Sequence, residues 1–294
     1  MALFFQNNLL EFLTYIVLAG AFASFWVFEN KKVSGVLFVI ASLFGLVSNQ
    51  IEWWFLVSTL VVGACVFWFY SEIKKPYIRV FLFFIITTIA VLLFLHKVPG
   101  YNNWQVWSDV KLSEKSASFS FWLNFDKPII GFLLLLFAYQ PVRKLSEWRE
   151  IFSKDCCLFY GLSILVILVL GLLSSYLVFD PKIVGYKFLF LWSLKMLFFT
   201  TIVEELFFRF FIQNNAIKLL SNLKNGKILG LILSSFIFGI FHLPAGILFA
   251  ALAFLAGLLY GGIYLKTNRL ESAILLHFAV NFIHLIFFAY PSLA

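Results

Sequence analysis

Charge is what this sequence carries least of. Only 12% of its 294 residues are Asp, Glu, Lys or Arg, whereas 63% are hydrophobic and 40 are phenylalanine. Soluble domains carry roughly 25% charged residues, and none could hide this much apolar surface from water. Basic runs interleaved with polar residues are lacking too, so the net charge of +8 does not point to nucleic acid. The lysines and arginines sit between apolar segments, as short cytoplasmic loops near anionic headgroups require. Cysteine is scarce: Cys65, Cys156 and Cys157 build no disulfide framework, and the adjacent pair reads as buried thiols rather than acylation sites. The opening MALFFQNN lacks the basic n-region and small-residue cleavage site of a signal peptide, so the first helix is expected to stay. There is no internal repeat, no low-complexity tract and no HExxH.

What is present is one apolar run after another. A transmembrane helix needs about 20 such residues. The expected spans are 9–28, 33–49, 53–70, 78–96, 128–141, 156–179, 186–208, 228–244, 246–265 and 270–290. The fold class is therefore all-α, a polytopic transmembrane helical bundle of about ten helices. The fifth run, PIIGFLLLLFAYQP, is short enough to be re-entrant, and charge placement decides for a crossing. With ten crossings one side receives Lys31, Lys32, Lys74, Lys75, Arg79, Arg143, Lys144, Arg149, Lys154, Lys218, Lys224, Lys227, Lys266 and Arg269. The other receives Lys97, Lys111, Lys115, Lys127, Lys182 and Lys187. Removing the fifth crossing destroys that bias, so both termini are expected outside the cytoplasm. The expected location is the cell's inner or plasma membrane.

The longest polar segment, 97–127, is mixed in charge and reads as an extracytoplasmic cap or lid. Polar residues that demand explanation concentrate towards the C-terminus. Residues 1–185 accordingly read as scaffold helices and 186–290 as the working part.

TTIVEELFFRFF places Glu204, Glu205 and Arg209 in an otherwise apolar segment, where ionisable groups are costly and usually functional. Glu205 and Arg209 are four apart and share a helix face, so they can pair. Glu204 is turned about 100° away and is the less committed carboxylate. FGIFHLPAG places Phe238 and His242 on one face of a second helix, and HFAVN places His277 and Asn281 on one face of a third. Each alone is readily explained by a headgroup or a neighbouring backbone. Together they are most cheaply accommodated by facing one another around a small wet cavity. His284 extends that polar stripe and reads as structural; His96, at a helix end, reads as interfacial.

EExxxR, FxxxH and HxxxN, in that order on separate helices, resemble the signature of the CPBP intramembrane protease family. That family includes the type II CAAX prenyl endopeptidases and bacterial bacteriocin-processing and self-immunity proteins. The resemblance covers about 186–290 and implies a catalytic core formed by the last four helices. It implies that Glu204 is the base that activates water, assisted by His242. His277 and Asn281 would stabilise the oxyanion, with Glu205 and Arg209 as the accessory pair that orders the site. Many members follow the arginine with glycine; this chain has Phe210, which would crowd a helix packed on that face.

The chemistry suits peptide hydrolysis. A carboxylate in a low-dielectric site is a stronger base near neutral pH, and imidazole and amide donors can stabilise a developing oxyanion. No cofactor is expected in that mechanism. The same residues allow an alternative: Glu204, His242 and His277 as a zinc set with one open position. The expected partners are membrane lipid and a membrane-anchored or lipid-modified peptide or protein substrate. Two further readings stand beside the peptidase: a non-catalytic membrane immunity or partner-binding protein, and a proton-coupled transporter, which the lack of a repeat disfavours. One difficulty is depth. Straight upright helices hold His242 and His277 at different levels, so tilt or a glutamate helix that projects from the membrane has to bring them together.

Overall fold

The computed structural model describes residues 8–71 and 75–294. Lys74, counted above among the charges of one side, and the residues preceding Asn8 lie outside the described residues. The chain forms α1 (Leu9–Val27), α2 (Lys31–Val47), α3 (Trp54–Tyr70) and α4 (Pro76–Phe94). A two-stranded hairpin follows, β1 (Trp104–Val110) with β2 (Phe119–Leu123). Then come α5 (Asp126–Phe137), α6 (Leu145–Ile151), α7 (Lys154–Leu173), α8 (Tyr186–Leu219), α9 (Gly226–Phe241), α10 (Ile247–Thr267) and α11 (Leu270–Phe287). Among the described residues six helices, α1, α4, α7, α8, α10 and α11, are long and apolar enough to cross a membrane. The protein is an all-α, multi-pass membrane bundle.

Local signals set these boundaries. Pro76 opens α4, where its missing N–H costs nothing. The Asn30 side chain accepts from Lys32 N at 2.9 Å and caps α2. Asn268, left-handed at φ 54°, closes α10.

Two elements depart from the sequence reading. The 97–127 segment, read as a cap or lid with no element assigned to it, contains the hairpin, whose period-2 signal is plain in its sequence. Trp104 and Val106 are buried with Gln105 exposed between them, and Phe121 and Leu123 are buried with Trp122 exposed between them. The thiols also differ, since Cys156 is buried but Cys157 is exposed.

The chain divides into two compact units. The first comprises the described residues up to Trp107, with Phe121–Pro141 and Phe198–Val203. Aromatic packing fills it: Phe132 stacks on Phe38 at 4.2 Å and meets Phe22 and Phe25 edge-on. Such contacts matter here because lipid removes the hydrophobic drive between helices and leaves dispersion to hold them. α5 has 12 residues, about 18 Å at 1.5 Å per residue, well short of the hydrocarbon thickness. Its C-terminal carbonyls, Leu135, Leu136 and Tyr139, accept from Lys31 Nζ at 2.8, 3.0 and 3.2 Å. Lys31 thus serves as a helix cap, which a tally of loop charges does not reveal. At the other end of α5, buried Asp126 accepts from Lys127 N and from Asn103, and pairs with His96 at 2.6 Å.

The second unit comprises the hairpin tip (Ser108–Ser120), Val142–Leu197 and Glu204–Ala294. The chain end lies along the hairpin tip: Ala117 N donates to Ser292 O and Ala294 N to Lys115 O. Lys182 donates to the carbonyls of Leu285 and Phe288 and so caps α11.

Candidate active site

The glutamates stand on α8, a continuous helix of 34 residues. At 1.5 Å per residue it is about 50 Å long, far beyond a 30 Å hydrocarbon core. An element of that length reaches past the hydrocarbon or tilts strongly within it, as the depth difficulty required. Its winding is irregular. Lys195–Thr201 and Leu206–Gln213 are π-helical, with Ile202–Glu205 α-helical between them. π-helical turns inside α-helices cluster at functional sites. The Phe208 carbonyl, in the second π segment, accepts from Ser234 Oγ of α9 at 2.7 Å.

Glu205 is fully buried and holds two partners. Its Oε2 accepts from Arg209 Nε at 3.0 Å, and its Oε1 lies 2.9 Å from His277 Nδ1. In the pair with Arg209 the Glu205 carboxylate acts as acceptor, so the proton between Oε1 and the ring is placed on Nδ1. The two Nη groups of Arg209 have no hydrogen-bond acceptor among the described residues. The guanidinium lies instead over the rings of Phe238 (4.7 Å) and Tyr260 (6.0 Å), a desolvated cation on two aromatic faces. Glu204, 7% exposed, places Oε2 4.0 Å from His277 Nε2. Phe210 is only half-buried between the sealed Arg209 and Phe211, and α9 packs at Phe208 instead. The crowding expected of Phe210 therefore does not fall where α9 docks.

His242 owes its position to the HLPAG sequence that follows α9. Pro244 cannot continue the helix, and Gly246 at φ +105° turns the chain into α10. Gly239 allows the close approach of the two helices, since a Cβ there would lie 2.9 Å from Ala250 O. His242 is left at the end of α9, with Nδ1 2.8 Å from the Phe238 carbonyl. A carbonyl only accepts, so Nδ1 carries the proton of that bond. His277 and Asn281 lie one turn apart on α11. Asn281 Nδ2 reaches Met196 Sδ at 3.3 Å, a weak acceptor that a better one would displace.

His242, His277, Asn281, His284, Tyr260 and Phe238 line one cavity of about 80 Å³, completed by Tyr176 and by apolar residues from α7, the loop after it, α10 and α11. It has room for several waters. The expected cavity thus gathers both motif histidines and the amide, whereas neither glutamate lines it; Glu204 reaches it by way of His277. His284 donates from Nε2 to Ala289 O at 3.2 Å. His96 belongs to the Asp126 cluster of the first unit. Among the described residues no three His, Cys, Asp or Glu side chains are grouped so as to hold a metal ion. In this arrangement Glu204, His242 and His277 do not form a ligand shell.

The sequence reading missed Tyr260, which stacks on His277 at 4.6 Å and 16°. It also missed Gln213, fully buried and donating to Gly261 O at 3.2 Å. The available signal was Gly257-x-x-x-Gly261 around Tyr260, small residues that mark close helix approach.

Residues 186–283 match the family model described as type II CAAX prenyl endopeptidase Rce1-like. No curated protein and no solved structure matches the chain. The matched third carries every motif residue and points to a CAAX-type intramembrane endopeptidase. It is through residues 186–283, the stretch that buries Glu205, Arg209 and His277, that this multi-pass membrane protein is similar to the type II CAAX prenyl endopeptidases.

Proposed function

We propose that the protein hydrolyses a peptide bond of a membrane-anchored or lipid-modified substrate near the cytoplasmic membrane face. Glu204 and His242 activate water, and His277 and Asn281 stabilise the oxyanion. The observation that carries this reading is the chain Arg209–Glu205–His277–Glu204, whose His277 lines a cavity shared with His242 and Asn281.

Water in the cavity attacks the scissile carbonyl carbon and gives its proton to Glu204. His242, with its lone pair at Nε2, shares that hydrogen bond. The carbonyl oxygen takes the negative charge and meets the Asn281 amide, which leaves Met196 for it. On collapse the C–N bond breaks and the departing amine takes the proton back from Glu204. Glu205 fixes His277 with Nδ1 protonated, so Nε2 donates to the oxyanion only as the imidazolium. The oxyanion role of His277 thus requires its charged form, flanked by two carboxylates at 2.9 and 4.0 Å.

The test compares protein termini in membranes of matched cells expressing the wild-type chain or Glu204→Gln. Termini that vanish with the substitution support the reading, and identical termini overturn it. The zinc alternative is separated by chelation: cleavage that persists in excess EDTA and 1,10-phenanthroline supports the metal-independent route, whereas loss restored by zinc replaces it. One observation favours a second reading, a non-catalytic immunity or partner-binding protein: neither glutamate is on the cavity wall. Under that reading Glu204→Gln leaves both termini and partner binding unchanged.

A further inference from the structure

Tyr260 is 2% exposed and lies against His277 on the cavity wall, and its hydroxyl makes no hydrogen bond to another side chain or carbonyl among the described residues. Five other inward tyrosines differ. Tyr15 donates to Leu123 O, Tyr101 meets Ser58, Tyr160 donates to Ile151 O, Tyr264 accepts from Asn214, and Tyr290 accepts from Trp192. Buried polar groups in folded proteins are paired as a rule, and an exception calls for a reason. Tyr260 lines the cavity that holds His242, His277 and Asn281, as does Tyr176, and of the two it is Tyr260 that stacks on His277.

We propose that the Tyr260 hydroxyl donates a hydrogen bond to the substrate's scissile carbonyl oxygen, and to the oxyanion that forms there. This rests on the peptidase reading above and deepens it. The stack on His277 and the nearby Arg209 guanidinium fix the ring, so the donor is held in place before substrate arrives. Its chemistry complements its neighbours. His277 donates from Nε2 only when charged, and Asn281 must first leave Met196. A phenol, with an ordinary pKa near 10, keeps its proton throughout the neutral range. A neutral, unengaged donor is therefore available whatever the state of the imidazole.

The experiment places wild type, Glu204→Gln, Tyr260→Phe and Tyr260→Leu, each as the full chain, in the same membranes. Termini that depend on Glu204 are identified first, and their rate of appearance is then followed by pulse-chase. A fluorogenic peptide spanning one such site gives kcat and KM separately. Phenylalanine keeps the stack and removes only the hydroxyl. The expected result for Tyr260→Phe is a fall in kcat of roughly 100-fold, the usual effect of removing one oxyanion donor, with KM within about 2-fold. A wild-type rate in Tyr260→Phe with a slow Tyr260→Leu makes Tyr260 a packing partner of His277 and overturns the proposal alone. A loss confined to KM assigns the hydroxyl to substrate binding and likewise overturns it. If no terminus depends on Glu204, the peptidase reading falls and this proposal falls with it.

Discussion

The two compact units bury ionisable groups in different places along their helices. In the first unit they stand at helix ends: Asp126 in the first turn of α5, and Lys31 on the carbonyls of its last turn. There a charge completes backbone hydrogen bonding that lipid cannot supply, and the helix dipole favours its sign. The second unit also has such groups at helix ends, Lys182 and Glu271 at the two ends of α11. Its Glu204 and Glu205, however, stand far from either end of a 34-residue helix, between two π-helical segments, with Arg209 inside the second of them. No helix terminus there needs them. Charge at an end is explained by the helix, whereas charge in the middle has to be explained by what it meets.

Paired substitutions sharpen this contrast, and the largest effect is expected at the reacting carboxylate. Glu204→Gln should abolish Glu204-dependent termini, a loss of at least about 1000-fold if Glu204 takes the proton of the attacking water as proposed, while leaving the unfolding midpoint near wild type. Asp126→Asn should do the opposite, costing about 1–2 kcal/mol of stability through weakened hydrogen bonds and leaving cleavage per folded molecule intact. Cleavage and unfolding measured on the same purified samples decide it. If both variants lose activity and keep stability, the division between ends and middles is broken.

Next in size is the buried pair itself. Arg209→Met takes the guanidinium from Glu205, and breaking a fully buried pair costs about 3–5 kcal/mol. Arg209→Met with Glu205→Gln should recover most of that stability but not the cleavage, because Glu205 also orients His277. A single substitution that costs less than about 1 kcal/mol would mean that Phe238 and Tyr260, not Glu205, hold the guanidinium.

Lys31→Met takes a charged donor from three carbonyls of α5, and an expected loss of about 1–3 kcal/mol follows from leaving such groups unpaired. Lys31→Arg should restore much of it. Unfolding in detergent reads the stability, and cleavage per folded molecule should stay at the wild-type level in both variants.

How much of this was legible follows the same division. The apolar runs reported the helices because length and hydropathy are local, and EExxxR, FxxxH and HxxxN were visible because spacing of four reports a helix face. The hairpin was equally local, in WQVWSDV and FSFWL, but it was hidden inside a segment judged by its polarity. What was not legible depended on partners distant in sequence. Lys31 counts as a loop charge until the end of α5 is seen beneath it. Tyr260 counts as one more aromatic residue until His277 is found on its face. The π-helical winding of α8, which changes which residues share a face, leaves no trace in composition.

The smallest effect tests an ion pair in solvent. Glu147 stands at the start of α6, where the amides of Lys144 and Arg143, at 3.0 and 3.2 Å, and then Arg269, hold its carboxyl below the usual carboxylate range. Arg269 immediately precedes α11, so the contact pins the start of the helix that carries His277. A carboxylate whose folded-state pKa is depressed stabilises the fold above its ordinary pKa. It loses that contribution as the pH falls through the depressed value. Glu147→Gln should therefore lower the unfolding midpoint slightly at neutral pH and converge on wild type in acid. Salt should narrow the gap, as it does for exposed pairs. A gap that persists unchanged into acid would mean that Glu147 acts through its shape and hydrogen bonds rather than its charge. It would then belong with the helix caps of the first unit and not with the paired charges of the second.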